Sequence, residues 1–250
     1  MSVRHVTPRA GMAVCYVAIA IALGVVGYVL RPWGLLLVWP AASLAVIAAA
    51  YLWFGPHVFH KRAGRLHPIT RIGMFPYLLG GWVTFPHYRR TAAPWVELTP
   101  KLILGRRLSQ AEAREQIDRG VRAVLDLTAE CEAPAAFRAL AYRNVPVLDL
   151  TIPTPRQFAE SVDFIRAHHD EGKVYLHCKL GRSRSAAVAA AYLIAEGLAK
   201  DGNEAVEIVK RARPEIVVGR AAVEALDRYA EEVRTAKLQK TKPKSQTTWE

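Results

Sequence analysis

Residues 1–96 contain no aspartate or glutamate; the first acidic residue of the 250-residue chain is Glu97. Up to residue 92 the same stretch carries Arg4, Arg9, Arg31, Lys61, Arg62, Arg65, Arg71, Arg89 and Arg90. The far end is nearly free of acid too, with Arg234 and four lysines set against Glu250. The net charge of +12 therefore belongs to the flanks, and residues 93–233 come to −1. This division argues against a nucleic-acid partner and for an anionic surface beside both flanks. Cysteine is scarce as well. Cys15, Cys131 and Cys178 are far apart, which excludes a disulfide framework and offers no metal-ligand spacing, so neither metal nor cofactor is expected. A lone reactive thiol works best in a reducing compartment.

Charge of either sign is missing from 10–30, and again from 32–56. Each run exceeds the roughly 20 residues that cross a hydrocarbon core of about 30 Å. Only Arg31-Pro32-Trp33-Gly34 separates them, so a hairpin is expected over 1–60, with spans near 10–30 and 34–54. Basic residues flank its open end and only Arg31 sits at its turn, which places both termini in the cytoplasm of a bacterial inner membrane. Trp33, Trp39, Tyr51 and Trp53 lie where aromatic belts form. The next segment, 61–94, reads as an interfacial piece or a linker. Its apolar run 72–85 is short and is broken by Pro76 and Gly80-Gly81.

From residue 95 the pattern turns to alternating strands and helices, expected to end near 234 before a basic, disordered tail at 235–250. Strands are expected over 96–104, 121–127, 143–148 and 173–177, and helices over 109–119, 158–168, 185–197, 202–211 and 221–236. Ser109 with Glu112 has the form of a capping box. The Ala-rich helix 185–197 is apolar on nearly all sides and should be buried.

Between the strand at 173–177 and that helix runs His177-Cys178-Lys179-Leu180-Gly181-Arg182-Ser183-Arg184-Ser185. A strand, a glycine-containing turn and a helix start make an anion site, because turn amides and the helix dipole converge. Five residues between Cys178 and Arg184 let the loop curl, with the thiol on the floor and a guanidinium able to hold two phosphate oxygens. Such a positive cradle favours a thiolate. Gly181 frees the turn, and Ser185 can hydrogen-bond the sulfur as it leaves.

His177-Cys178-x5-Arg184-Ser185 resembles the signature of the protein-tyrosine phosphatase superfamily, and the small domain is similar to its dual-specificity branch. The resemblance implies an α/β fold with a central, mostly parallel sheet flanked by helices, here preceded by the transmembrane hairpin. It also implies attack of the Cys178 thiolate on phosphorus, a cysteinyl-phosphate, and an aspartic general acid upstream. Asp149, in a proline-rich loop after a strand, is the candidate; Asp126 has apolar neighbours and looks structural, and Asp170 lies too near the strand entering the loop. Cys178, Arg184, Asp149 and Ser185 form the expected catalytic set. His177, Lys179, Leu180, Gly181, Arg182 and Ser183 form the expected substrate-binding rim, with His177 shaping the loop.

The run Cys-Lys-x-Gly-Arg-Ser-Arg-Ser, continuing through residues 189–194 and Asp149–Thr154, resembles the mitochondrial-type phosphatidylglycerophosphate phosphatases. Leu180 departs from the alanine usual there, and the hairpin is not a standard part of that family. A domain tethered to a bilayer meets headgroups at high effective concentration, and its basic flanks draw it to anionic lipid. The expected partners are thus the bilayer and a phosphorylated lipid, such as phosphatidylglycerophosphate or a phosphoinositide. The alternative is a membrane-tethered dual-specificity protein phosphatase acting on phosphoproteins.

Overall fold

The computed structural model describes residues 8–90 and 93–241. Helix α1 (Pro8–Val29) is followed by a second apolar rod. That rod is built from a 3-10 turn (Trp33–Leu37), α2 (Val38–Ala49), a π-helical turn (Ala50–Phe54) and a 3-10 turn (Gly55–Phe59). Both rods are long and apolar enough to cross a membrane, and only 11% and 28% of their most apolar windows are buried by protein, so they are not core helices. Next come α3 (Pro68–Gly73) and α4 (Phe75–Arg90).

The α/β unit follows as β1 (Trp95–Thr99), β2 (Leu102–Arg106), α5 (Gln110–Asp118), β3 (Val121–Thr128), α6 (Ala135–Arg138) and β4 (Ala141–Val147). It closes with α7 (Pro155–His168), β5 (Lys173–Cys178), α8 (Arg184–Ala195), α9 (Gly202–Ala212) and α10 (Arg220–Thr241). The sheet order is β1-β2-β5-β3-β4; β2, β5, β3 and β4 run parallel, and β1 pairs antiparallel with β2 at the edge. The single strand expected over 96–104 is therefore a hairpin. Pro100, which cannot donate to a ladder, sits in its turn. Helix α10 continues to Thr241, past the expected boundary at 234, while 242–250 lie outside the described residues.

Every residue of α8 is buried. Its alanines let it seat deep against the sheet, and it carries Arg184 and Ser185 at its buried N-terminus. Ser109 and Glu112 form the reciprocal capping box, and a second box, Thr154 with Gln157, starts α7.

The segment after the apolar rods docks on the α/β unit. Lys61 Nζ donates to Asp126 Oδ2 at 2.7 Å and to the carbonyl and hydroxyl oxygens of Thr128, both at 2.9 Å. Leu66 N donates to Glu132 Oε1, and Ala133 N donates to the Gly64 carbonyl. A hydrophobic cluster joins Ala13, Ile47 and Tyr51 of the rods to Ala129 and Leu148 of the α/β unit. Helix α4 is held at both ends. Trp39 stacks on Phe75 and donates to the Gly73 carbonyl, and Arg89 pairs with Glu112 at 2.7 Å.

Candidate active site

Cys178 ends β5, the strand between β2 and β3, and is 3% exposed. Its Sγ accepts from the Gly181 amide at 3.2 Å and from Ser185 Oγ at 3.3 Å. The loop's carbonyls are taken up on its outer side. Arg107 N reaches the Lys179 oxygen, Arg213 Nη2 the Leu180 oxygen, and Val217 N the Arg182 oxygen. Gly181 holds φ +71°, a conformation that favours glycine, which turns its amide to the sulfur.

Arg184 is fully buried and held from two sides. Nη1 donates to Glu130 Oε2 at 3.1 Å and the Val147 carbonyl at 2.9 Å; Nη2 donates to Glu130 Oε1 at 2.9 Å. Burial alone would raise the Glu130 carboxyl, but the charge and hydrogen bonds of Arg184 hold it below the usual range. A permanent carboxylate therefore sets the guanidinium plane, as a forked, bidentate pair does. The fourth contact is Asp149, whose Oδ1 lies 2.9 Å from Nη2 while the side chain stays 42% exposed. The structure thus brings Cys178, Arg184, Asp149 and Ser185 together.

The loop bearing Asp149 is tied from both directions. Gln157 Nε2 donates to the Pro146 carbonyl at 2.8 Å, and the Tyr51 hydroxyl donates to the Asp149 carbonyl at 2.9 Å. Leu150 has φ +56°, a conformation costing roughly 1–2 kcal/mol outside glycine, so the flanking hydrogen bonds hold it in place.

Several rim residues sit differently from expectation. His177 does not face the substrate side. Successive residues of a strand point to opposite faces, so its ring lies behind the loop, 1% exposed, with Nδ1 3.3 Å from the Cys178 carbonyl. Burial holds its imidazole below the ordinary value, against the opposing pull of Asp126 3.9 Å away. Lys179 faces an open groove beside Asp149 and Glu130, which Arg182 does not line. Leu180, Gly181 and Ser183 complete the loop. Asp126 is buried between Lys61 and the Tyr142 hydroxyl. Burial, with Glu130 next to it, pushes the Cys131 thiol up to about 12, which marks it as inert. Arg213 is buried and props the loop, whereas Arg220 is exposed. Sequence reasoning missed Glu130, Lys61 and Tyr51. Only Glu130 had a local signal, an acid just beyond the carboxyl end of a central strand, where α/β sheets bind ligands.

A buried thiol in an amide loop, with a forked arginine behind it and an aspartate at its mouth, defines a cysteine-dependent phosphatase of the protein-tyrosine phosphatase superfamily. The profile of the dual specificity phosphatase catalytic domain matches residues 102–232. The chain belongs to that family. It is 34% identical over 122 residues to dual specificity protein phosphatase 1-A of Xenopus laevis, covering 47% of this chain and 32% of that protein. It is 32% identical over 127 residues to phosphatidylglycerophosphatase and protein-tyrosine phosphatase 1 of Rattus norvegicus, covering 47% of this chain and 65% of that one. The chain thus spans about a third of the length of the first of these curated relatives. The crystal structure of PTPMT1 superposes with a TM-score of 0.53 at 26% identity, over 59% of this chain and 99% of that one.

Proposed function

We propose that this protein is a membrane-anchored phosphatase that removes phosphomonoesters from lipid headgroups, with phosphatidylglycerophosphate or a phosphoinositide as substrate. The observation that carries this is the Tyr51 bond to Asp149. A residue within the second apolar rod holds the acid loop, so the cradle sits at the foot of the hairpin. The hairpin occupies 1–60 and crosses the bilayer, 61–94 fastens it to the phosphatase domain at 95–234, and the described basic residues Arg9, Lys61, Arg62, Arg65 and Arg71 keep the open end cytoplasmic. Likeness to a relative named as a phosphatidylglycerophosphatase supports the lipid reading; likeness to the dual specificity protein phosphatases supports the protein-phosphatase alternative.

In the first step the Cys178 thiolate attacks phosphorus, the S–P bond forms, and the P–O bond to the alcohol breaks. Arg184 and the loop amides take up the equatorial charge. An arriving phosphate displaces Asp149 from its ion pair with Arg184 Nη2; the released carboxylate takes a proton from solvent and then gives it to the departing oxygen. In the second step Asp149 accepts a proton from water as its oxygen attacks phosphorus. The S–P bond breaks, and the Ser185 hydroxyl stabilises the leaving thiolate.

On vesicle-borne phosphatidylglycerophosphate and phosphoinositides, kcat/KM should exceed that on phosphotyrosyl peptides. The reverse order would overturn the lipid reading. Asp149→Asn should slow turnover of lipid substrates about a hundredfold, in the range for a lost general acid. It should slow p-nitrophenyl phosphate far less, because that leaving group departs without a proton. Equal losses on both substrates would remove Asp149 from the acid's role.

A further inference from the structure

We propose that the groove between α4, the two apolar rods and the mouth of the cradle is the seat of the acyl chains of one phospholipid, admitted sideways from the bilayer. Its glycerol backbone would pass beneath Lys179 and its phosphomonoester would point at Cys178. The inference rests on the lipid-phosphatase reading above and adds where the rest of the lipid lies.

The groove encloses about 1220 Å³. That exceeds the roughly 300–1,000 Å³ of an ordinary small-molecule site, and a headgroup phosphate alone would leave most of it empty. Its two ends differ in chemistry. At the cradle end the charged lining is Arg107, Lys179, Glu130, Glu132 and Asp149. Both Glu130 oxygens and one Asp149 oxygen are spent on Arg184, and Glu132 accepts the Leu66 amide, which leaves Lys179 and Arg107 to meet an anion. At the far end the lining from the rods is Trp39 and Leu44, while Tyr16 lies nearer the cradle, its ring 5.8 Å from that of Tyr51. Leu44 lies seven residues before Tyr51 and Trp39 twelve, about 10 and 18 Å further along the rod at roughly 1.5 Å per residue. The groove therefore follows the second rod away from the cradle, with α3 and its Arg71 alongside the far part.

Helix α4 forms the roof. None of its residues is buried, although it is fastened to α2 at one end and to α5 at the other. Phe75, Leu79 and Trp82 line the groove and stay 49%, 39% and 70% exposed. A contiguous apolar lining of this size marks a binding surface, and its continuity with the rods identifies hydrocarbon as what covers it. Gly81 sets the height of the roof over the rim. A Cβ there would come 3.0 Å from Lys179 Nζ, so the ammonium lies against the helix backbone where the backbone of a lipid would pass. Five of the six charged lining residues gather at the phosphate end, with Arg71 further along beside Gly73, so the groove runs from a mostly charged end to a mostly apolar one, as a phospholipid does.

The test uses the full chain in nanodiscs and two substrates with one headgroup, dipalmitoyl and dibutanoyl phosphatidylglycerophosphate, in wild type, Leu44→Trp and Leu79→Trp. Wild type should favour the long chains by about tenfold or more in kcat/KM, the worth of burying about two methylenes. Each tryptophan, one from the wall and one from the roof, should collapse that ratio towards unity. Because both rates come from one preparation, the ratio does not depend on the folded fraction. A long-chain preference that stays the same in both variants would overturn the groove and leave the lipid-phosphatase reading standing. Turnover of phosphotyrosyl peptides with neither lipid hydrolysed would overturn both.

Discussion

Cys178→Ser is expected to lower kcat at least about a thousandfold on every phosphomonoester, roughly 4 kcal/mol of barrier, while binding persists. The reason lies in what surrounds the sulfur. The Gly181 amide and the Ser185 hydroxyl both donate to Sγ. Donors of that kind stabilise a charge already present on a thiolate, but they cannot take a proton from a hydroxyl. A serine at 178 would thus have no base to activate it. Arg184, by contrast, owes its place to Glu130 and Val147, neither of which depends on the thiol. Binding of orthovanadate, followed by titration calorimetry, should therefore survive in the variant. Retention of more than a tenth of the turnover would remove Cys178 from the nucleophile's role.

Lys61→Met is expected to destabilise the protein by about 3–5 kcal/mol, the usual consequence of removing one partner from a buried ion pair. Lys61 and Asp126 side chains are 2% and 1% exposed, and the methionine would strand a carboxylate that keeps only the Tyr142 hydroxyl and Thr128 as donors. In wild type, burial alone would raise the Asp126 carboxyl, but Lys61, with His177 and Tyr142 adding to it, holds it below the ordinary value of 3.8. A depressed carboxylate contributes its stability above the unfolded value and loses it as pH falls through the folded one. Wild type should therefore keep this contribution down to about pH 4 and lose it in stronger acid. The melting temperature of Lys61→Met at pH 7 should fall by about 10 °C or more. The double variant Lys61→Met/Asp126→Asn should recover part of that, because no charge is then left unpaired. A single variant melting within about 2 °C of wild type would show that the buried pair contributes little net stability.

The sequence made the loop at Cys178 readable because its chemistry is local: nucleophile, glycine, arginine and serine fall within eight residues of one strand-turn-helix unit. Asp149 was readable for a related reason, as an acid just past a strand in a proline-rich loop. Glu130 and Lys61 were not, since each acts on a partner 54 or 65 residues away and no local pattern marks such a pairing. Helix α4 was hidden differently. Pro76 falls in its first turn, where proline is tolerated, and tertiary contacts through Phe75 and Arg89 override the poor helix propensity of Gly80-Gly81. Of the four aromatic residues expected in interfacial belts, Trp39 and Tyr51 also make hydrogen bonds to other segments of the protein. Composition placed them near a membrane without showing what they would hold.

Tyr51 also bears on how such a protein is assembled from parts. An anchor and a catalyst joined by a plain tether are interchangeable, and either can be swapped between lineages without the other noticing. Here the Asp149 backbone, the Asp126 carboxylate and the Glu132 carboxylate each complete their hydrogen bonding with Tyr51, Lys61 or Leu66. A foreign N-terminal segment would have to arrive with those three positions already matched. The apolar rods and the α/β unit in that sense complete one another, and a fragment starting at residue 95 would lack the three hydrogen bonds that Tyr51, Lys61 and Leu66 supply to the acid loop and its neighbours.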